Sequence, residues 1–197
     1  MPGIVGDKAQ IFNKKKIILS VVLLATLGFL IQIFATEALN LALVPFATAD
    51  EEYGELIGAL VANPIMIFYV IVVAPIIEEL IFRIFIVWLS LKFMPFWIAN
   101  IIQAILFGIY HGNWIQGIYA FLLGMVLGYL MHDSKCLATS ILLHISINAS
   151  GVMQEKMGIL TGEATSATNM IMGAVAFVLC CAVIFVLHKT WNVDEQS

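Results

Sequence analysis

Long apolar stretches separated by short polar turns set the pattern of this chain. Because a helix needs about 20 apolar residues to cross a bilayer, each stretch is long enough for at least one crossing. The stretches cover residues 17–36, 56–91, 93–131, 136–153 and 170–187. No segment shows the alternation typical of strands. The pattern therefore predicts an all-α fold, a polytopic transmembrane helix bundle.

The number of crossings depends on two of these stretches. Residues 93–131 are about twice as long as one span, so the chain must turn there, and the polar residues 111–113 are the natural place. Residues 56–91 fit either one long helix kinked at Pro75 or two spans.

The distribution of lysines favours one helix over residues 56–91, because cytoplasmic loops carry an excess of Lys and Arg. With one helix, seven lysines lie on one side of the membrane and only Lys156 on the other; with two, the division is five to three. The seven are Lys8, Lys14, Lys15, Lys16, Lys92, Lys135 and Lys189. We therefore predict about six spanning helices, with both termini in the cytoplasm.

The amino-acid composition also indicates a membrane protein. The chain is 62% hydrophobic and 11% charged, whereas a soluble domain is nearer 45–50% apolar and 25% charged. A chain of this kind could not cover itself with polar surface in water, so we expect an integral membrane protein surrounded by lipid, with no nucleic-acid partner. There is no internal repeat or low-complexity segment, so residues 1–197 are predicted to form a single domain.

Two glycines lie four residues apart in the third apolar stretch. Gly124 and Gly128 have the GxxxG spacing, which allows two membrane helices to approach closely. We expect a packing role for them.

Three ionisable residues interrupt the second stretch, in the sequence EELIFR at residues 78–83. Each charge at the centre of a bilayer costs at least about 2.5–3.5 kcal/mol. Glu79 and Arg83 are four residues apart, which suits an ion pair on one helix face. Glu78 points about 100° away and is left without that partner. The set could be a structural salt bridge, or a site with a carboxyl available for proton transfer.

Three more polar residues lie at similar depth on other helices. His111 ends one apolar run, and His144 and Asn148 are four apart on another. Counted at 1.5 Å per residue from the predicted cytoplasmic ends, Glu78 and His111 lie about 21 Å up, Asn148 about 18 Å and His144 about 12 Å. Taken alone, each His could simply make a helix–helix hydrogen bond. Together they predict one polar cavity.

Such a set supports two kinds of hydrolytic chemistry. A carboxylate and an imidazole can take a proton from water, while a second imidazole and an amide can stabilise an oxyanion. Equally, Glu78, His111 and His144 could be ligands of a catalytic zinc ion with an open position for water. No HExxH motif signals zinc, so the residues leave open either no cofactor or one zinc ion.

The three segments also resemble the motifs of a known family. EELIFR, FGIYH and HISIN, in that order, are similar to the EExxxR, FxxxH and HxxxN motifs of the CPBP intramembrane proteases, which include the type II CAAX prenyl endopeptidases and the Abi proteins. The resemblance covers about residues 71–150. It implies that the first Glu and first His activate water, and that the second His and the Asn stabilise the oxyanion. The implied catalytic residues are Glu78, His111, His144 and Asn148, with Glu79 and Arg83 in support.

The resemblance also implies a substrate class and alternatives to catalysis. The substrate would be a membrane-associated peptide or a lipid-modified protein. The short six-span chain favours a bacterial plasma membrane, where relatives are linked to bacteriocin maturation or immunity. One alternative is therefore a non-catalytic peptide-binding or bacteriocin immunity protein. Another is a proton-coupled transporter, although the chain lacks the paired half-chain symmetry of many transporters.

Overall fold

The fold is a bundle of helices, seen in a computed structural model that describes residues 14–43, 55, 58–157 and 166–192. No strand occurs within these residues, so the predicted all-α class is confirmed. The long helices are α1 (Lys14–Leu43), α2 (Pro64–Ser90), α3 (Phe96–Tyr110), α4 (Trp114–Ser134), α5 (Leu137–Met157) and α6 (Ser166–Asn192).

Three helices are long and apolar enough to cross a membrane on their own. They cover Lys16–Ala38, Pro64–Ser90 and Met170–Asn192, and the protein is accordingly an integral membrane protein. Helix α3 is apolar but only 15 residues long, or about 22 Å at 1.5 Å per residue. It is thus shorter than a hydrocarbon core of about 30 Å.

Helix α2 is continuous, which confirms one helix rather than two spans. It begins where the Asn63 side chain accepts a 2.9 Å hydrogen bond from the Ile65 amide, with Pro64 at the first helical position. Instead of a simple kink at Pro75, two π-helical segments interrupt it, Tyr69–Val73 and Leu80–Ile86. The ring of a proline crowds the carbonyl four residues earlier in an α-helix, and the wider turn before Pro75 relieves that crowding.

Contacts between helix ends show an up-and-down arrangement. At one end, Trp191 Nε1 donates to Ser20 Oγ at 3.1 Å, joining the end of α6 to the start of α1. His188 of α6 contacts Asp133 near the end of α4 at 2.9 Å. At the other end, Thr36 Oγ1 donates to Gln154 Oε1 at 3.4 Å, joining the ends of α1 and α5.

This arrangement gathers most lysines at one end of the bundle. Lys16 lies at the start of α1, Lys92 and Lys135 in the turns after α2 and α4, and Lys189 near the end of α6. Lys156 lies at the opposite end, near the end of α5. The predicted asymmetry therefore holds for these residues, while Lys8 lies outside the described residues. Which end faces the cytoplasm stays a prediction.

Small residues let the helices approach closely around the site. A Cβ added to Gly28 of α1 would lie 2.5 Å from Ser146 Cβ of α5, and one added to Gly124 of α4 would lie 3.1 Å from Ala104 Cα of α3. The close packing predicted for the GxxxG spacing is confirmed. Because α2 packs against α5 and α3, the three motifs lie on neighbouring helices.

Candidate active site

Glu79 and Arg83 form the predicted ion pair. Glu79 Oε2 and Arg83 Nε are 3.0 Å apart, and both side chains are 0% exposed. The guanidinium N–H does not point along a hydrogen bond to this oxygen, so the contact is electrostatic. Arg83 Nη1 donates instead to Gln103 Oε1 at 2.9 Å. Pairing of this kind is what allows charges to remain in a membrane interior.

His144 lies between the two neighbouring glutamates. Its Nδ1 is 2.9 Å from Glu79 Oε1, and its Nε2 is 3.6 Å from Glu78 Oε2. As predicted, Arg83 pairs with Glu79 and not with Glu78 among the described contacts, but the sequence did not reveal that His144 lies beside Glu78. Glu78 and Glu79 point in different directions from α2, but the two nitrogens of one imidazole face different directions too, so a single ring from α5 can meet both carboxylates.

Asn148 lies one turn along α5 from His144 and contacts another part of α2. Its Nδ2 donates to the carbonyl oxygen of Val70 at 2.8 Å, and Val70 belongs to the first π segment. An asparagine amide has two N–H bonds. This contact uses one, and the other remains for a second acceptor.

His111 caps the end of α3, with Nδ1 2.8 Å from the carbonyl oxygen of Phe107. A carbonyl can only accept, so Nδ1 carries a proton, and in the neutral ring Nε2 keeps its lone pair. No hydrogen bond or ion pair joins His111 to Glu78 or to His144 among the described contacts. The sequence-predicted residues therefore form one directly connected group, Glu78, Glu79, Arg83 and His144, with His111 and Asn148 on neighbouring elements.

Phe107 separates His111 from that group. Its ring lies edge-on to His111, with centroids 4.8 Å apart, and edge-on to His144 at 5.7 Å. The guanidinium carbon of Arg83 is 4.8 Å from the centroid of the same ring. Phe107 is the Phe of the second motif, but analysis of the ionisable residues alone gave it no role.

Two further residues were missed, the buried amides Asn100 and Gln103 of α3. Their sequence signal was available: they are polar residues in a stretch, 93–131, that has no Lys, Arg, Asp or Glu.

The described residues do not gather a metal-ligand set. No group of three or more His, Cys, Asp or Glu side chains among them is placed to hold a metal ion. Of the three residues that zinc would require, only Glu78 and His144 are neighbours, with Oε2 and Nε2 3.6 Å apart, and no described contact joins His111 to either. Zinc ligands lie about 2.0–2.2 Å from one ion, and this arrangement does not fit that geometry. We therefore derive no step through a metal.

A buried group of carboxylates, imidazole and guanidinium at the centre of a helical bundle defines a membrane protein with an internal acid–base site. Residues 60–150 match the family described as "Type II CAAX prenyl endopeptidase Rce1-like". The resemblance to CAAX prenyl endopeptidases that the sequence motifs indicate is thereby confirmed for this part of the chain, which contains all three motifs. No curated protein and no solved structure gives a significant match to the chain.

Proposed function

We propose that the protein is an intramembrane endopeptidase that hydrolyses a peptide bond in a membrane-associated peptide or protein. One observation carries this proposal: His144 lies between Glu78 and Glu79, 3.6 Å and 2.9 Å away, in the buried centre of the bundle. The family match supports the same activity.

The group has a charge balance suited to a membrane interior. Two carboxylates face one guanidinium and one imidazole. When His144 carries a proton on both nitrogens, the two negative charges of Glu78 and Glu79 are matched by the two positive charges of His144 and Arg83. Matched, hydrogen-bonded charges avoid the large cost of burying isolated ones.

Glu78 is the proposed general base. Its carboxylate takes a proton from water while the water oxygen attacks the carbonyl carbon of the substrate. The same proton then passes to the leaving nitrogen as the C–N bond breaks, giving a carboxylic acid and an amine. His111 is the second proposed base, because its Nε2 lone pair is available, and it would help to orient the water.

His144 and Asn148 are the proposed donors to the oxyanion. Because His144 Nδ1 donates to Glu79, its Nε2 can donate to the oxyanion only when the ring carries a second proton. The second N–H of Asn148 is the other donor. Donors fixed in advance stabilise the negative charge as it develops.

A covalent serine intermediate is not part of this proposal. Ser146 is near the site in sequence, but its Oγ donates to the carbonyl oxygen of Leu142 at 2.8 Å. That bond points the hydroxyl back along its own helix, where no base accompanies it.

We also propose that the end of the bundle with Lys16, Lys92, Lys135 and Lys189 faces the cytoplasm, as the excess of positive charge predicts, in the plasma membrane of a bacterium. Substrate would then reach the site from lipid or from either face.

The direct test uses purified protein in lipid nanodiscs with a panel of membrane-inserting peptides, half of them prenylated at a C-terminal cysteine. Wild-type protein should cleave at least one peptide, and Glu78→Gln should not. Equal cleavage by both would overturn the assignment of Glu78. Loss of cleavage with a chelator, restored by Zn²⁺, would transfer water activation to a bound metal.

The same variants distinguish a binding protein from an enzyme. A non-catalytic immunity protein would keep its cellular effect in Glu78→Gln, whereas a peptidase would lose it. Proton-coupled transport would appear as pH-driven flux in liposomes without any peptide cleavage.

A further inference from the structure

A pair of buried amides lies behind the ion pair. Gln103 and Asn100 are both 0% exposed and lie one turn apart on α3. Gln103 Nε2 donates to Asn100 Oδ1 at 2.7 Å and to the carbonyl oxygen of Gly124 at 2.8 Å. Asn100 Nδ2 donates to the carbonyl oxygen of Met125 at 3.0 Å. The two side chains are thus anchored to the backbone of α4.

The glycines of α4 make room for this pair. A Cβ added to Gly128 would collide with Asn100 Oδ1 and would lie 3.0 Å from Gln103 Nε2. A Cβ at Gly124 would press on Ala104. The GxxxG spacing therefore admits two amides between α3 and α4 as well as bringing the helices together.

The other end of Gln103 reaches the proposed site. Its Oε1 accepts from Arg83 Nη1 at 2.9 Å. Within the described part of the chain this is the only side-chain hydrogen bond of the guanidinium, because Arg83 Nε and Nη2 have none. Gln103 therefore determines how the guanidinium plane is turned, and with it which edge faces Glu79.

We infer that Gln103 is a positioning residue for the proposed hydrolysis, with Asn100 as its anchor. The connection runs from the α4 backbone through Asn100 and Gln103 to Arg83, then to Glu79 and His144. Through it, α4 holds the imidazole at a fixed place between the glutamates, although α4 supplies no reacting group. The inference rests on the proposed function.

A purely structural role would predict something different. A buried amide pair that only joined α3 to α4 could be replaced at the cost of stability alone. A positioning role predicts a loss of turnover, since displacing a reacting group by about 1 Å can cost 100-fold in rate. Measurements of kcat and of the His144 imidazole N–H resonance therefore distinguish the two roles.

The test substitutes Gln103→Met, which keeps the size and removes both hydrogen-bonding ends. The matched control is Gln154→Leu, which removes a buried glutamine that does not contact Arg83. The readouts are kcat, KM, the thermal midpoint, and the imidazole N–H resonances of ¹⁵N-histidine-labelled protein, assigned with a His144→Gln variant.

We expect Gln103→Met to lower kcat about 10- to 100-fold with little change in KM, and to shift the His144 Nδ1–H resonance. The control should leave kcat and the resonance as in the wild type. Asn100→Ala keeps the contact between Gln103 and Arg83, so it should give a smaller loss of the same kind, and it replaces Gln103→Met if that variant does not fold.

A fall in the thermal midpoint with unchanged kcat and an unchanged His144 resonance would overturn the inference. If wild-type protein cleaves no peptide, the proposed function fails while the resonance still reports on positioning. A resonance that moves in Gln103→Met but not in Gln154→Leu would then support the connection by itself.

Discussion

Two buried polar clusters in this bundle resemble each other in composition but differ in how their atoms are paired. The first, the site cluster, consists of Glu78, Glu79, Arg83, Gln103 and His144. The second, the α1 cluster, consists of Gln32, Thr36, Tyr119 and Gln154, which hydrogen bonds join, and of Glu37, which follows Thr36 along α1 and faces Gly173 of α6. Each contains at least one glutamate and one glutamine, and each joins several helices.

The α1 cluster is loosely connected. Tyr119 donates to Gln32 Oε1 at 3.1 Å, but the bonds through Thr36 measure 3.4 Å and 3.5 Å. Glu37 Oε2 and Gln154 Nε2 are buried without a hydrogen-bond partner. No basic side chain pairs with Glu37 among the described contacts. The cluster therefore contributes helix contacts without fixing any group for chemistry.

The site cluster, in contrast, is tightly connected. Most of its contacts are 2.9–3.0 Å long. Glu79 has two ion-pair partners, Arg83 from the next turn of α2 and His144 from α5. Its members fall within the part of the chain that matches the peptidase family, whereas Gln32, Thr36, Glu37 and Gln154 lie outside it. The comparison suggests that paired charge, rather than buried polarity as such, marks the reactive centre of a membrane bundle.

The largest expected effect is at Glu78. Glu78→Gln removes the proposed base and keeps the side-chain size, so turnover should fall about 10²–10⁴-fold. Cleavage of a model peptide by nanodisc-reconstituted protein measures this. The equivalent change in the α1 cluster, Glu37→Gln, should leave the rate unchanged. If the two variants cleave equally fast, the distinction between the clusters has no catalytic meaning.

Glu79→Ala should mainly damage stability. It leaves Arg83 buried beside Gln103 without its opposite charge, and breaking a buried ion pair in this way costs about 3–5 kcal/mol. The thermal midpoint and the yield of folded protein should both fall well below those of Glu37→Ala. A Glu79→Ala protein as stable as wild type would show that Arg83 does not need this partner.

Asn148→Ala should affect turnover more than substrate binding. Loss of one oxyanion donor lowers kcat about 10²–10³-fold, and KM should change little because the bond strengthens only as charge develops. Asn148 also donates a hydrogen bond to Val70. A lower thermal midpoint with an unchanged kcat would therefore show that Asn148 only joins α5 to α2.

Gln154→Leu should have the smallest effect. Its Nε2 has no partner to lose, and the bond that its Oε1 accepts from Thr36 is long, at 3.4 Å, so the substitution removes little hydrogen bonding. The thermal midpoint should therefore stay close to that of wild type, within about 1 kcal/mol. A large destabilisation would mean that the α1 cluster is better bonded than its geometry indicates.

Much of the fold could be predicted from the sequence, because lipid imposes length and polarity on each span. The helical class follows from the apolar pattern, the single helix in the second apolar stretch from the distribution of lysines, and the ion pair between Glu79 and Arg83 from their spacing. Helix α1, however, extends over Lys14–Leu43, beyond the apolar residues 17–36, since backbone hydrogen bonding continues past Glu37 into residues 38–43, which are again mostly apolar.

The site was less predictable where side chains from different helices meet. Spacing along α2 shows that Glu78 and Glu79 diverge, but only the position of α5 reveals that His144 lies between them. The role of Gln103 depends on α3 and α4 together. A neutral amide is also a weaker sequence signal than a charged residue, although the Gln103 amide accepts the hydrogen bond that orients the Arg83 guanidinium.

The π segments of α2 affect the direction in which the side chains around its motif point. A π-helical turn closes its hydrogen bonds over five residues instead of four, so it accommodates one more residue than an α-helical turn. The EExxxR spacing begins in the α-helical piece Ala74–Glu79 and ends inside the π segment Leu80–Ile86. A regular α-helix also brings residues four apart onto one face, so the pair of Glu79 and Arg83 does not depend on the π segment. The wider turn instead changes the direction in which the residues after Arg83 point relative to Glu79.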